Sequence, residues 1–419
     1  MSKNVLQLKH ISKNISGTVQ LTGSKSESNR ALIIQALSGG KVEVVNLSEA
    51  ADTHTLSAAL KQLNTGETDE QTTIDIGPAG TAMRFLTSYL SLKSKKEVLL
   101  TGSERMQQRP IGILVDALGE LGAEITYQKQ QGYPPLRISG NMQQRSEKVR
   151  IQGDVSSQYL SSLLLIAAQL PLGLDLEIIG ELTSKPYLTM TLELLNRCGI
   201  QSRFEGQHIH IAPQDFKAAH IHIEPDWSAA SYWYSIVALS ENGELTLPGL
   251  IQHSMQGDIQ IVEIMRYFGV ETEFSDNGLR IYKKAMSEEI PLLDFKTCPD
   301  LAQTIVALAA GLKKDIEMTG LETLKIKETD RIAALQTEIK KFGAEFIEVH
   351  PEVYKVQTQH VSDPGNLVFD TYEDHRMAMA FAPLALIFKQ IAIREPNVVE
   401  KSYPMFWDHL KAQGFSISG

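Results

Sequence analysis

Residues 339–348 read IKKFGAEFIE. An apolar stretch with helical spacing runs into Gly343, and an alternating run through Glu345, Phe346 and Ile347 follows with the period of a strand. Glycine ends a helix in the left-handed conformation without steric penalty, so the stretch reads as helix, stop, strand. The same signals recur in LKQLNTGE, LGELGAEITY, LNRCGIQSRF, MRYFGVETEF and LKAQGFSIS, around Gly66, Gly122, Gly199, Gly269 and Gly414. The separations are 56, 77, 70, 74 and 71, and six units of that length would fill all 419 residues. Each glycine alone could be an ordinary C-cap; six at near-even spacing argue for repeated helix-strand units. A stacked solenoid is the simpler alternative, but units this long more often close into globular domains.

Composition permits two such domains. With 42% hydrophobic residues over 419 positions, the chain can bury more than one core. Its formal charge of −10 argues against nonspecific binding to nucleic acid or to an anionic membrane. The opening MSKNVLQLKHISKNIS has no apolar core of signal-peptide length, and the longest apolar runs, such as 377–388, fall short of a membrane span. The only cysteines, Cys198 and Cys298, stand in unlike contexts, which fits a reducing cytoplasm and leaves no disulfide framework. The histidines are scattered without metal-ligand spacing, so no metal and no cofactor is expected.

Against this acidic background, clustered basic residues are informative. GSKSESNR (23–30), IKETDR (326–331) and EDHRMAM (373–379) each place basic or hydroxyl residues where a helix would begin. Helix N-termini attract anions through free N–H groups and the positive end of the macrodipole. Two Gly- and Ser-rich segments repeat the theme: GPAGTAMRFL, where Gly77 and Gly80 allow close backbone approach, and GDVSSQYLSSLLLIAA, where Ser156, Ser157 and Gln158 precede an apolar helix. Simple capping is the competing reading, and for a lone Ser-Ser it is the favoured one.

A chain passing twice between two halves would explain why a strand-like piece (5–21) precedes the first anion motif while a polar break, EPDWSAAS (224–231), falls near the middle. The expected boundaries lie near Thr22 and Pro225. Residues 22–225 would form one three-unit domain, and 1–21 with 226–419 the second.

Seven segments, GSKSESNR, GPAGTAMR, RMQQRPIG, GDVSSQYL, SKPY, KETDR and DHRMAM, follow one another in the order found in the 5-enolpyruvylshikimate-3-phosphate synthase family. The resemblance runs nearly end to end and is highly specific. It implies an α/β fold of two similar domains, each of three βαβαββ units forming an inside-out α/β barrel, hinged around a central cleft. It also implies transfer of the enolpyruvyl group of phosphoenolpyruvate to the 5-hydroxyl of shikimate 3-phosphate, with release of phosphate, in chorismate and aromatic amino-acid biosynthesis. A cytoplasmic monomer is expected, with these two small molecules as its partners.

By the same resemblance, Lys25, Arg109, Arg331, Arg376 and Lys401 would surround phosphoenolpyruvate, with Gly80 and Gln158 closing against it. Arg offers carboxylate or phosphate a planar fork, and Lys a point charge able to move a proton. Ser156, Ser157, Ser184 and Lys327 would hold the shikimate phosphate, beside Thr323, and Ser26, Arg30 and Tyr187 the rest of that substrate. Asp300, in CPDLAQT, resembles the acceptor of the hydroxyl proton, and Glu328, in KETDR, the group that exchanges the proton at carbon. Lys25 and Lys401 would stabilise the tetrahedral intermediate and the departing phosphate. Out of context, Glu328 would read as a first-turn helix carboxylate, Asp300 as a cap and Tyr187 as a core aromatic.

Four positions depart from the family pattern: Pro78 for Asn, Phe85 for Pro, Thr323 for Asn, and a negative Glu27 inside GSKSESNR, expected to face solvent. Gly80 is expected to leave room for glyphosate, the family's phosphonate inhibitor, because a Cβ would project toward the ligand. Two alternatives stand beside this assignment. One is the related transferase acting on UDP-N-acetylglucosamine, whose reactive loop usually carries a cysteine that neither Cys198 nor Cys298 matches. The other is a catalytically silent anion-binding protein.

Overall fold

The computed structural model describes residues 5–64, 72–153 and 156–419, which fold as two compact units, one of Met1–Thr22 with Glu224–Gly419 and one of Gly23–Ile223. In chain order the elements begin with strands β1 (Val5–His10) and β2 (Asn14–Thr18). The inserted unit follows: α1 (Lys25–Leu37), β3 (Val42–Val45), α2 (Ala51–Asn64), β4 (Thr72–Asp75), α3 (Gly80–Lys93), β5 (Val98–Thr101), α4 (Gly112–Leu121), β6 (Ile125–Tyr127), β7 (Leu136–Ile138), β8 (Lys148–Gln152), α5 (Ser157–Ala167), β9 (Leu174–Ile179), α6 (Lys185–Arg197), β10 (Arg203–Glu205), β11 (His208–Ile211) and β12 (Ala219–His222). The first unit then resumes with α7 (Trp227–Leu239), β13 (Asn242–Pro248), α8 (Ile261–Tyr267), β14 (Val270–Ser275), β15 (Gly278–Lys283), β16 (Leu293–Asp294), α9 (Ala302–Gly311), β17 (Ile316–Thr319), α10 (Arg331–Lys340), β18 (Glu345–His350), β19 (Val353–Gln357), β20 (Leu367–Phe369), α11 (His375–Phe381), β21 (Ile391–Arg394), α12 (Phe406–Ala412) and β22 (Phe415–Ser418).

One pattern repeats. In β4-α3-β5-α4-β6-β7 a helix crosses between two parallel strands, and the closing hairpin adds its last strand beside the second, giving the sheet order β4-β5-β7-β6. Parallel neighbours need such a crossover, whereas the hairpin can turn directly. The sheets β8-β9-β11-β10 and β16-β17-β19-β18 are built alike. In two further sheets the chain start supplies a strand. Strand β1 lies between β21 and β22 in the sheet β20-β21-β1-β22, in the position that β7 holds in β4-β5-β7-β6, pairing Val5 with Arg394 and Gln7 with Ser418. Strand β2 opens the sheet β2-β13-β15-β14, parallel to β13. In the sixth repeat β12 runs parallel to β3, and only residues 65–71 separate α2 from β4. That short connection accounts for the small first interval in the glycine series.

The glycines do what their spacing predicts at Gly122, Gly199, Gly269, Gly343 and Gly414, all with positive φ; Gly66 lies outside the described residues. At Gly343, φ is 90° and a Cβ would come within 2.1 Å of the His360 carbonyl oxygen. Backbone conformation and close approach therefore both require glycine there.

The first helix of each repeat is buried on nearly every face: α9 and α11 along their whole length, and α7 everywhere but Ser228. Such helices belong in a core. In one unit α7, α9 and α11 pack on one another, and in the other α1, α3 and α5 do so. The second helices, such as α6 with Leu188, Leu192 and Leu195 buried, are amphipathic and lie farther out.

Candidate active site

In the unit of Glu224–Gly419 the charged residues of three helix-start segments meet, joined by Lys401 from the end of the turn Pro396–Lys401. Asp330 caps α10 by accepting from the Ala333 N–H at 3.1 Å, which places Arg331 at the first helical position. Asp374 caps α11, one oxygen accepting from the Arg376 N–H at 2.9 Å. The two residues before it, Tyr372 and Glu373, both hold positive φ, a costly backbone that fixes where the cap sits. Asp300 lies in a turn, Pro299–Leu301, ahead of α9.

Arg331 ties these together. Its Nε donates to Asp374 Oδ2 at 2.8 Å, Nη1 to Asp300 Oδ1 at 2.9 Å and Nη2 to Glu328 Oε2 at 2.9 Å. Lys401 Nζ donates to the other oxygen of Glu328 at 3.1 Å. Arg376 Nη2 lies 2.9 Å from Asp300 Oδ2, and the guanidinium also donates to the Tyr232 hydroxyl, the Asp300 carbonyl and Ser228 Oγ. Ser228 Oγ in turn donates to Asp258. Thus Asp300, Glu328, Arg331, Arg376 and Lys401 form one network. Lys327 acts on it electrostatically, and Thr323 sits buried in the neighbouring turn Glu322–Ile326.

The electrostatics follow from burial and pairing. Burial alone would raise Asp300, but Arg376, Lys327 and Arg331 hold its carboxyl well below the usual range, so it stays ionised. Lys327 is lowered, first by burial and then by the nearby Arg331 and Arg376, against the pull of Asp300 and Glu328. Asp258 is pushed up to about 7 by burial and by the charge of Asp300.

Two readings of these residues are corrected. Asp300 is no cap, because its side chain faces two guanidinium groups. Glu328 stands before the N-cap Asp330 rather than in the first turn of α10.

The unit of Gly23–Ile223 carries the remaining groups. Ser24 caps α1 through the Glu27 N–H, and Lys25, the first helical residue, reaches Asp52 at 3.4 Å. Ser156 caps α5, accepting from Gln158 N at 3.3 Å, with Ser157 opening the helix. The Gln158 amide donates to Thr81 Oγ1 in the first turn of α3, 3.2 Å away. The starts of α3 and α5 therefore lie side by side, so their positive ends reinforce each other. Helix α3 begins after Ala79 with no side-chain cap, exposed Pro78 preceding it, and α6 follows Ser184, which has φ 55° and no capping bond. First-turn N–H groups without a capping side chain suit an anion.

Arg30 is buried in this unit. Its Nε donates to Thr191 Oγ1 at 2.8 Å, Nη1 to the Ser26 carbonyl at 2.8 Å and Nη2 to Ser161 Oγ at 2.9 Å. Burial lowers it to about 10, countered by the nearby Tyr187 and Glu27. Glu27 is itself buried, a correction to its expected solvent position: it lies on the inner helix α1, whose neighbouring positions Ser28 to Ile34 are core. A Cβ at Gly80 would lie 2.7 Å from Arg109 Nη1 and 3.2 Å from its Cζ. A side chain there would thus crowd the Arg109 guanidinium. Sequence reasoning passed over Asp374, Asp258, Ser228, Asp52 and Thr191; of these only Asp374 lay inside a recognised motif.

Two units of repeated βαβαββ topology, each gathering basic side chains and helix starts, one with two carboxylates set among cations, define an α/β protein built to handle small anionic substrates. The sequence profile of EPSP synthase (3-phosphoshikimate 1-carboxyvinyltransferase) matches residues 9–410, and the chain belongs to that family. It is 47% identical over 404 residues to a 3-phosphoshikimate 1-carboxyvinyltransferase of Bacteroides fragilis, covering 96% of each chain. It is 36% identical to one from Sulfurovum sp., covering 98% of this chain and 99% of the relative. Its fold matches that of EPSP synthase from Acinetobacter baumannii with a TM-score of 0.78 at 20% identity, over 99% of this chain and 100% of the other.

Proposed function

We propose that the chain transfers the enolpyruvyl group of phosphoenolpyruvate to the 5-hydroxyl of shikimate 3-phosphate. The observation that carries this reading is the network of Asp300, Arg331, Glu328, Lys401 and Arg376, which holds two carboxylates among three cations within one unit. The reaction needs both kinds of group. Addition protonates the methylene carbon of phosphoenolpyruvate while its second carbon gains the substrate oxygen, whose proton leaves. Elimination then removes a proton from the new methyl group and expels phosphate, restoring the double bond.

Glu328 is assigned the proton exchange at carbon and Asp300 the hydroxyl proton. Arg331 uses Nε and one N–H on each Nη for its three carboxylates, which leaves two further N–H donors for an anion. An anion drawing on Arg331 and Arg376 weakens their hold on Asp300 and raises its proton affinity, turning a tightly paired carboxylate into a usable base. Lys401 and Lys25 balance the charge of the intermediate and of leaving phosphate. Lys25, Arg109, Gly80 and Gln158 are assigned to phosphoenolpyruvate. Ser26, Arg30, Ser156, Ser157, Ser184, Tyr187, Thr323 and Lys327 are assigned to shikimate 3-phosphate.

Neither alternative gains support. Both cysteines are buried, and burial pushes Cys198 up to about 11 and Cys298 up as well, so neither supplies a reactive thiolate. No helix among the described residues is long and apolar enough to cross a membrane. We place the enzyme in the cytoplasm as a monomer.

Phosphate release measured with each substrate alone, both together, and UDP-N-acetylglucosamine in place of shikimate 3-phosphate tests the assignment. Release should require phosphoenolpyruvate and shikimate 3-phosphate together. Equal release with the nucleotide sugar would move the protein to the rival activity, and release with neither acceptor would leave a binding protein.

A further inference from the structure

The partners of Arg30 leave its charge only partly balanced locally. All three of its hydrogen bonds go to neutral oxygens, those of Thr191, Ser26 and Ser161. Glu27 is the carboxylate that acts on it, and two aromatic rings lie close: the guanidinium carbon is 5.4 Å from the centroid of Phe85 and 5.6 Å from that of Tyr187. Phe85 is 1% exposed, on the inner helix α3, so the ring sits in a site of low dielectric where attraction between a cation and a ring quadrupole is strongest. The ring also leaves the two unused N–H groups of Arg30 available, because a π face occupies no donor.

We propose that Phe85 is a positioning residue for substrate recognition: its ring holds the Arg30 guanidinium in place, fully charged, for an anionic group of shikimate 3-phosphate. This rests on the reading of Arg30 as part of that substrate's site. An aliphatic side chain of similar volume would fill the core equally well but would supply no quadrupole, so the ring's contribution is separable from its packing.

The test replaces Phe85 with mono-, di- and trifluorophenylalanine, which withdraw electron density from the ring at nearly constant shape, and measures shikimate 3-phosphate binding by calorimetry. The dissociation constant should rise stepwise, reaching roughly threefold to thirtyfold for the trifluoro ring. Phe85→Leu should weaken binding at least as much, with a lower thermal midpoint because the smaller side chain leaves a void in the core, so the fluorinated series carries the separation of quadrupole from packing. Native protein that fails to bind shikimate 3-phosphate would overturn the substrate assignment. Native protein that binds, with a flat fluorine series or an unaffected Phe85→Leu variant, would overturn the role of the ring.

Discussion

Arg331 and Arg30 are equally buried, each 2% exposed, yet they are stabilised in opposite ways. Arg331 is surrounded by three carboxylates and its proton is held more tightly than usual despite burial. Arg30 bonds two hydroxyls and a carbonyl, lies near two rings and one carboxylate, Glu27, that it does not bond directly, and its proton is held less tightly because burial dominates. A cation neutralised by its own protein organises acid-base groups; a cation left under-neutralised keeps its attraction for a ligand's charge. On the proposed assignment, Arg331 serves the acid-base groups as well as an anion, and Arg30 serves recognition alone.

The sharpest way to break this contrast is to remove each cation. Arg331→Ala would strand Asp300, Glu328 and the fully buried Asp374 together, so it should cost about 3–5 kcal/mol of stability in urea titrations. Arg30→Met keeps the volume and leaves the Thr191 and Ser161 hydroxyls 3.1 Å apart to bond each other. It strands one nearby carboxylate, Glu27, where Arg331→Ala strands three, so it should cost less stability than Arg331→Ala while losing most shikimate 3-phosphate affinity. Equal destabilisation by the two changes would show that the distinction in partners has no energetic meaning.

Glu328→Gln sharpens the same contrast at the chemical step. The amide keeps the shape of the carboxylate but cannot exchange the proton, so turnover should fall by roughly a hundredfold or more, about 2.7 kcal/mol in barrier. Phosphoenolpyruvate affinity should change far less, because Arg331, Arg376 and Lys401 remain. Turnover at the native rate would remove Glu328 from its assigned role.

Local sequence disclosed more of this architecture than long-range pairing did. Five glycines marked helix ends, and the segments read as helix starts do begin helices, capped by Ser24, Ser156, Asp330 and Asp374, because a cap and its N–H partner lie two or three residues apart. Nothing local could show that β1 closes a sheet with strands almost 400 residues away while β2, a few residues on, opens another. The same limit hid the buried position of Glu27, which depends on the packing of α1 against α3 and α5. It also hid Asp258, an acidic residue in SMQGDIQ with no basic neighbour in sequence, whose importance comes from Ser228, Arg376 and Asp300.

Asp258 offers the smallest but most specific prediction. Its neighbours across the packed elements are the Ser228 hydroxyl, the Arg376 guanidinium, the carboxylates of Asp300 and Asp226, and the Cys298 thiol. Because burial raises it to about 7, the folded protein holds this proton more strongly than the unfolded chain does. Its contribution to stability is therefore greatest at acid pH, declines as pH rises above the ordinary carboxylate range, and levels off above about 8. Asp300, held well below the usual range, acts in the opposite sense and only at strongly acid pH, so the two do not overlap. Between pH 6 and pH 8 the loss from Asp258 should be about 1 kcal/mol. Urea midpoints across that window should fall in the native protein and stay level in Asp258→Asn, which cannot lose the proton. A slope that survives the substitution would assign the titration to another group and leave Asp258 ionised behind Ser228 throughout.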